Sequence, residues 1–219
     1  MPAKTLILVR HAESEHHIKG LSGGWTDTPI TERGHEQAHR VATRLRSELG
    51  ETPIRLFTSD LLRTRNTAQH VAEAFGVEAV TDERLRELNN GAAAGLTQAE
   101  VQRRWPRSDG PMGLDERCWP GSETWREFYE RAGGFVDTFD FEGPLPVVVT
   151  HGGTLFVLVA RWLGLPPELM KGVNFHAHVT SLTVLRRPDH GLREVERLND
   201  VSHLAGMTGW ASLDATAGG

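Results

Sequence analysis

Arginine and histidine side chains follow three apolar stretches of the sequence. They are Arg10 and His11 after the run 5–9, Arg63 one helical turn beyond the run 54–58, and His151 after the run 146–150. Guanidinium groups are natural bidentate partners of phosphate. A predicted helix beginning at Gly153 adds free N–H groups and a positive dipole end beside His151. The pattern therefore predicts a binding site for a tetrahedral anion.

These residues can meet only if the three apolar runs lie side by side. Short apolar runs rich in β-branched residues alternate with amphipathic segments, which predicts a three-layer α/β/α fold around a mostly parallel sheet. In such a sheet, sites form beyond the carboxyl ends of the strands. The predicted strands are 5–9, 54–58, 77–80 and 146–150, with a closing hairpin at 179–185 and 193–198. The predicted helices are 31–49, 60–75, 122–139 and 153–163, with Ser59 capping the second and a capping box at Thr97 and Glu100 opening a further one.

Bulk properties limit the classes of partner. The net charge is -5 and the sequence pI is about 6.1, so the molecule as a whole has no basic bias toward nucleic acid or an anionic membrane. Cys118 is the single cysteine, which excludes an internal disulfide and a thiolate metal cage. No apolar run reaches the length of a signal or a membrane span, so a cytoplasmic location is expected.

The length of 219 residues suits a single α/β domain over 1–219. The segment 85–145 is rich in Gly, Pro and Trp, and it is predicted to be a helical and loop insertion that caps the site. Aromatic residues at helical spacing within it, Trp125 and Phe128, are interpreted as core. The residues 205–219 are small and polar apart from Met207 and Trp210, and this composition predicts a loose tail.

The segment Arg10-His11-Ala12-Glu13 resembles the R-H-G-E signature of the histidine phosphatase superfamily, the phosphoglycerate mutase-like proteins. Further blocks match in the same order and extend the resemblance over about residues 4 to 204. They are Gly24 to Thr31, Gly34 with Gln37-Ala38, Ser59 to Ala68, Leu85-Arg86-Glu87-Leu88 with Gly91 and Gly95, and Thr150-His151-Gly152-Gly153. The blocks in this order are far more specific than R-H-x-E alone.

The resemblance implies a mechanism and a set of roles. His11 would attack phosphorus and become phosphohistidine, while Arg10, Arg63 and His151 would bind the equatorial oxygens. Glu87 would protonate the leaving oxygen and then help to activate water. No metal and no cofactor are expected. Further contacts to phosphate or substrate are implied for Gly152, His17, Gly24 and Trp25.

The sequence departs from the family pattern at two places. Ala12 stands where the family usually has Gly. His17, preceded by His16, stands where Asn is common, and either histidine could contact phosphate or simply lie in a loop. Trp25 could equally be part of the core. Glu13 and Asp60 are the spare candidates for the acid.

Two other catalytic motifs occur in the sequence. His35-Glu36-Gln37-Ala38-His39 is a formal H-E-x-x-H zinc signature. Gly34 weakens the helix start, Ala42 replaces the glycine of the elongated form, and solvated histidines at a helix edge explain the pattern better. Gly20-Leu21-Ser22-Gly23-Gly24 matches the G-x-S-x-G elbow of serine hydrolases but lacks the strand before it and the helix after it.

Hydrolysis of a small-molecule phosphate monoester is the favoured function. A phosphoglycerate mutase of this superfamily normally carries a Tyr and basic residues soon after the acid, whereas residues 88–95 supply neither. Mutase-type phosphoryl transfer is the first alternative, and a regulatory protein that binds phosphorylated ligands without turnover is the second. The sequence leaves open the identity of the substrate and whether the chain forms a homodimer.

Overall fold

A six-stranded sheet is the centre of the computed structural model, which describes residues 4–106 and 113–208. The strands lie in the order β3-β2-β4-β1-β5-β6. Neighbouring strands from β3 to β1 are parallel, and β5 and β6 add an antiparallel edge. The strands are β1 (Lys4–Arg10), β2 (Ile54–Thr58), β3 (Ala79–Thr81), β4 (Leu145–Thr150), β5 (Leu182–Arg187) and β6 (Glu194–Asp200).

The register of the parallel strands brings their carboxyl ends together. Arg10 at the end of β1 pairs with Thr150 at the end of β4. Thr58 at the end of β2 pairs with Val149 of β4. The residues that directly follow these three strands therefore emerge at one edge of the sheet.

Helices cover both faces of the sheet. The helices are α1 (Glu15–Ile18), α2 (Glu32–Leu49), α3 (Leu62–Phe75), α4 (Gln98–Arg104), α5 (Trp125–Asp137) and α6 (Gly152–Leu163). Val41 and Leu45 of α2 and Val71 of α3 pack with Val147 and Val149 on one face. On the other face, residues of α5 and α6 pack against Val148. The three-layer, mostly parallel α/β/α prediction is confirmed.

The central strand β4 is buried on both of its faces, so helices must cover both sides of the sheet. Val147, Val148 and Val149 are each 0% exposed, and burying a valine side chain contributes about 1.5–3 kcal/mol.

Among the described residues, no helix is both long and apolar enough to cross a membrane.

Helix α3 begins later than the sequence predicts, and Ser59 does not cap it. Leu61 occupies the N-cap position without a side-chain hydrogen bond, and α3 begins at Leu62. The hydroxyl of Ser59 instead lies 2.9 Å from Nε2 of His151. A tertiary hydrogen bond thus replaces the local cap that the sequence indicates.

Other boundaries move by a few residues. Strand β3 begins at Ala79 rather than at 77, and α5 begins at Trp125 because Thr124 caps it by accepting from the Glu127 amide. Phe128 is 0% exposed and contacts Trp125 in the core, as predicted. In the segment predicted as a tail, Met207 is buried, and residues 209–219 lie outside the described part of the chain. Residues 107–112, including Arg107 of the predicted insertion, also lie outside it.

Candidate active site

His11 directly follows β1 and is anchored there by its backbone. Its amide donates to the Thr150 carbonyl at 2.8 Å, and the next amide, of Ala12, donates to Oγ1 of Thr67 at 3.0 Å. Gly34 at the start of α2 lies against this segment, since a Cβ there would sit 2.1 Å from the Glu13 carbonyl oxygen. The glycine therefore allows α2 to pack closely behind the histidine.

The proton of the His11 ring has a defined position. Nδ1 lies 2.7 Å from the Ala12 carbonyl oxygen. Because a carbonyl can only accept, Nδ1 carries the proton and Nε2 keeps its lone pair. The pKa of His11 is held well below its ordinary value, mainly by burial and next by the positive charge of Arg63. The ring is therefore neutral at pH 7 and can act as a nucleophile through Nε2.

Two buried arginines lie close enough to His11 to lower its pKa by their charge, and backbone carbonyls hold both of them. Arg63 is 1% exposed and donates to the carbonyls of Thr26 at 2.7 Å and Gly24 at 2.6 Å. Arg10 donates through Nη1 to the carbonyl of Ala177. Burial lowers the pKa of Arg63 to about 10, so the guanidinium stays charged at neutral pH.

His151 follows β4 and occupies the N-cap position of α6. Its ring lies 5.2 Å from that of His11, edge to face. Nε2 is hydrogen-bonded to the Ser59 hydroxyl, and burial, followed by the charge of Arg63, holds the pKa well below the ordinary histidine value. The two histidines and two arginines predicted to converge at the sheet edge do so.

Three buried nitrogen atoms of these residues have no hydrogen-bond partner within residues 4–106 and 113–208. They are Nε of Arg10, Nε of Arg63 and Nδ1 of His151. An unpaired buried polar group costs about 1–3 kcal/mol, and native structures contain few of them. Single cases occur elsewhere, as at Trp162 Nε1, but here three belong to neighbouring residues. The arrangement fits an anion that accepts several hydrogen bonds.

Glu87 is held at the N-terminus of α6. Its Oε2 accepts from the Gly153 amide and its Oε1 from the Leu88 amide, both at 2.9 Å. A Cβ at position 153 would lie 2.3 Å from Oε1, so this contact requires glycine. The spare acid candidates are engaged elsewhere: Glu13 accepts from the Thr31 hydroxyl, and Asp60 forms a two-point ion pair with Arg86.

Of the two adjacent histidines, His17 lies closer to the cationic groups. Its Nδ1 accepts from the Ser14 amide at 3.2 Å, which places the ring proton on Nε2. That Nε2 is 3.4 Å from Nη2 of Arg10, so two donors stand side by side. His16 Nδ1 instead bonds the Ser14 hydroxyl at 2.7 Å. Burial lowers the pKa of His17 to about 4.

Gly24, Trp25 and Gly152 support the site from its border. Gly24 has a φ of +55°, and a Cβ there would lie 2.4 Å from Cγ of Asn90. The Trp25 indole donates to the Glu87 carbonyl at 2.7 Å, and its ring lies under the Arg86 guanidinium. A Cβ on Gly152 would lie 3.5 Å from Nε of Arg10, an ordinary contact distance.

Ser59 and Asn90 were missed as site residues, and the Gly153 amide, predicted to be free for an anion, instead donates to Oε2 of Glu87. Ser59 and Gly153 lie inside the matching sequence blocks, but only the tertiary structure brings them to His151 and Glu87. Asn90 accepts from the Trp25 amide and donates to the Gly23 carbonyl. A polar residue three positions after the predicted acid is the one signal that could have drawn attention to it.

The competing motifs do not form the sites that their patterns resemble. In the H-E-x-x-H segment, Nδ1 of His35 lies 3.0 Å from Nε2 of His70 on an exposed helix face. Within the described residues, no group of three histidine, cysteine or acidic side chains could hold a metal ion. Ser22 of the G-x-S-x-G segment is buried, and its hydroxyl accepts from Nδ2 of Asn90.

Known proteins share both the sequence pattern and this fold. The family model described as histidine phosphatase superfamily (branch 1) matches residues 6–201. The chain belongs to the histidine phosphatase superfamily. A curated relative, "Probable phosphoglycerate mutase GpmB" of Escherichia coli, is 39% identical over 166 residues, which are 73% of this chain and 74% of the relative.

Two solved structures of this superfamily fold are similar over most of the chain. YhfR of Bacillus stearothermophilus superposes with a TM-score of 0.75 at 30% identity, covering 91% of this chain and 98% of its own. The mycobacterial glucosyl-3-phosphoglycerate phosphatase Rv2419c, solved with VO3, gives 0.74 at 26% identity, covering 90% and 100%.

Proposed function

We propose that this protein hydrolyses a small-molecule phosphate monoester through a phosphohistidine intermediate on His11. The observation that carries the proposal is the set of three unpaired buried nitrogens on Arg10, Arg63 and His151 beside a neutral His11. An incoming phosphoryl group supplies acceptors to the Nε–H groups of both arginines, and to Nδ1 of His151 when that nitrogen carries the ring proton. Two arginine charges also stabilise the transition state, where charge spreads over the equatorial oxygens.

The first step transfers the phosphoryl group to the protein. Nε2 of His11 attacks phosphorus with its lone pair, and the bond between phosphorus and the ester oxygen breaks. Nδ1 keeps its hydrogen bond to the Ala12 carbonyl, which stabilises the positive charge that develops on the ring. Glu87 donates a proton to the leaving oxygen, so the alcohol departs neutral.

The second step releases phosphate. Glu87, now a carboxylate, takes a proton from a water molecule as that water attacks phosphorus. The bond between phosphorus and Nε2 breaks, and its electron pair returns to His11. The amides of Gly153 and Leu88 hold both carboxyl oxygens in place, which lets one group serve as acid and then as base.

His17 is proposed as a further phosphate ligand in the position that the family pattern gives to Asn. With the ring proton on Nε2, it offers a donor next to the Arg10 guanidinium. Two adjacent donors suit a single anionic oxygen. His16 is proposed to support this geometry through Ser14, which both histidines contact.

Phosphoglycerate mutase activity is the second candidate, because the curated relative GpmB carries that name. The residues after the acid argue against it. Leu88 packs in the core around Phe128, and Asn90 is bound to the 22–25 loop. Within 88–95, no side chain can offer a cation to a substrate carboxylate or to a second phosphate.

The test is turnover and trapping with the purified protein. We expect phosphate release from p-nitrophenyl phosphate and from some member of a sugar phosphate panel, and an acid-labile, alkali-stable phosphoryl group on the protein. His11→Ala should abolish both without unfolding the protein. Interconversion of phosphoglycerates without phosphate release would establish the mutase, and tight phosphate binding without a phosphoprotein would establish a regulatory binding protein.

A further inference from the structure

Ser59 is the polar partner of His151 at the start of the loop between β2 and α3. The serine is 0% exposed, and its Oγ lies 2.9 Å from Nε2 of the imidazole. The other ring nitrogen, Nδ1, is one of the unpaired atoms. A neutral imidazole carries a single proton. The direction of the hydrogen bond to Ser59 therefore decides whether Nδ1 can donate.

The hydroxyl of Thr64 limits the hydrogen bond between Ser59 and His151 to two possible directions. It lies 2.7 Å from Oγ of Ser59 and 2.8 Å from the Leu61 carbonyl oxygen. If Thr64 donates to the carbonyl, Ser59 donates to Thr64, and His151 must donate from Nε2, which leaves Nδ1 without a proton. If Thr64 donates to Ser59, Ser59 donates to Nε2, and the ring proton resides on Nδ1.

A phosphoryl oxygen selects the second arrangement, because it needs donors and repels a lone pair. We infer that Ser59 is a positioning residue that donates to Nε2 of His151 and thereby presents Nδ1–H to the phosphoryl group. The inference rests on the proposed function, since it assumes that a phosphoryl group occupies the site. Burial and the nearby Arg63 hold the pKa of His151 well below its ordinary value, which keeps a single proton on the ring.

The decisive measurement is ¹⁵N NMR of protein labelled in its histidine rings, with inorganic vanadate bound. The ring nitrogen shifts distinguish a protonated from an unprotonated nitrogen. We expect a proton on Nδ1 of His151 and none on Nε2. A proton on Nε2 alone, or on both nitrogens, overturns the inference while leaving the phosphohistidine mechanism intact. A protein that does not bind vanadate at all would contradict the proposed function and this inference together.

Two substitutions separate this role from a purely structural one. Ser59→Ala should weaken vanadate binding about tenfold and lower kcat by a similar factor. A factor of this size corresponds to the loss of one hydrogen bond, here the one that orients His151 toward the anion. Thr64→Val should bind vanadate at least as tightly as the unmodified protein, because Ser59 then keeps its proton for Nε2. Equal losses in both variants would contradict the inference.

Ser181→Ala is the matched control. Its hydroxyl is also buried, and it has no partner within the described residues. We expect its vanadate affinity and its kcat to stay within about twofold of the unmodified protein. Thermal unfolding of all three variants shows whether each is folded, and the NMR experiment on the unmodified protein tests the inference even if Ser59→Ala does not fold. A loss in Ser181→Ala as large as that in Ser59→Ala would contradict a specific role for Ser59.

Discussion

Replacing Gly153 with alanine should displace the carboxylate of Glu87 and leave the fold intact. The new Cβ would lie 2.3 Å from Oε1 of Glu87, whereas real Cβ atoms stay beyond 3.0 Å. The carboxylate must therefore move by at least 0.7 Å, the difference between those distances. A misplacement of about 1 Å can cost about 100-fold in rate. We expect kcat/KM for an alkyl phosphate to fall about 100-fold, which equals about 2.7 kcal/mol.

The stability of Gly153→Ala should change little. Position 153 lies in the first turn of α6 and has no positive φ, so alanine fits the backbone. Alanine favours a helix over glycine by about 0.5–1 kcal/mol, which offsets part of the strain from moving Glu87. We expect the melting temperature to change by less than about 4 °C.

The assay compares two substrates that differ in their need for an acid. p-Nitrophenyl phosphate has a leaving group that departs without protonation, so its kcat/KM should fall far less than that of the alkyl phosphate. Gly134→Ala is the control, because a Cβ on this glycine of α5 meets nothing within 4 Å. Equal losses for both substrates would refute the assignment of Glu87 as the acid, and a large fall in melting temperature would contradict the predicted fit of alanine in α6.

Three further predictions concern the pH dependence of stability, the guanidinium of Arg63 and the effect of removing metal ions. Stability should fall as the pH drops below 6.5, because burial holds the pKa of His11 and His151 well below that value and that of His16 at about 3. The unfolded chain then binds more protons than the folded one, and equal urea midpoints at pH 7 and pH 5 would contradict this. Arg63→Lys should weaken vanadate binding at least about tenfold, since a single ammonium nitrogen cannot reach both carbonyls, which separate Nη atoms of Arg63 bind, and the anion as well; unchanged affinity would exclude that role. EDTA should leave activity unchanged, and a strict requirement for Zn²⁺ or Mg²⁺ would overturn the mechanism.

The convergence of the site could be predicted because the parallel register leaves little freedom. Arg10, His11 and His151 directly follow strands whose ends are paired, so their positions depend on strand order alone. Arg63 lies one turn further on, where helix α3 begins. Apolar runs and helical periodicity are enough to place such residues.

Contacts between distant segments could not be predicted in the same way. Ser59 has the side chain of an N-cap and stands just before a helix, so local propensity alone predicts a cap. The hydrogen bond to His151 depends on how β2 and β4 align, which propensity does not describe. The fit of Glu87 against Gly153 likewise depends on the path of the 85–90 loop, and no periodic pattern encodes it.

The charge of the site is local, in a molecule whose net charge is -5. Surface arginines such as Arg44 and Arg161 form ion pairs with carboxylates. For Arg10 and Arg63, in contrast, no carboxylate lies within ion-pair distance among residues 4–106 and 113–208, and only carbonyl dipoles hold them. Carbonyls fix the position of a guanidinium without cancelling its charge. Burying these cations is costly, as the lowered pKa of Arg63 shows, and the charges of Glu87 and, for Arg63, of Asp27 offset only part of that cost. An anion that enters beside the two guanidinium groups offsets more of it. The proposed function therefore assigns two tasks to the same two residues: binding phosphate, and stabilising the charge spread over its equatorial oxygens in the transition state.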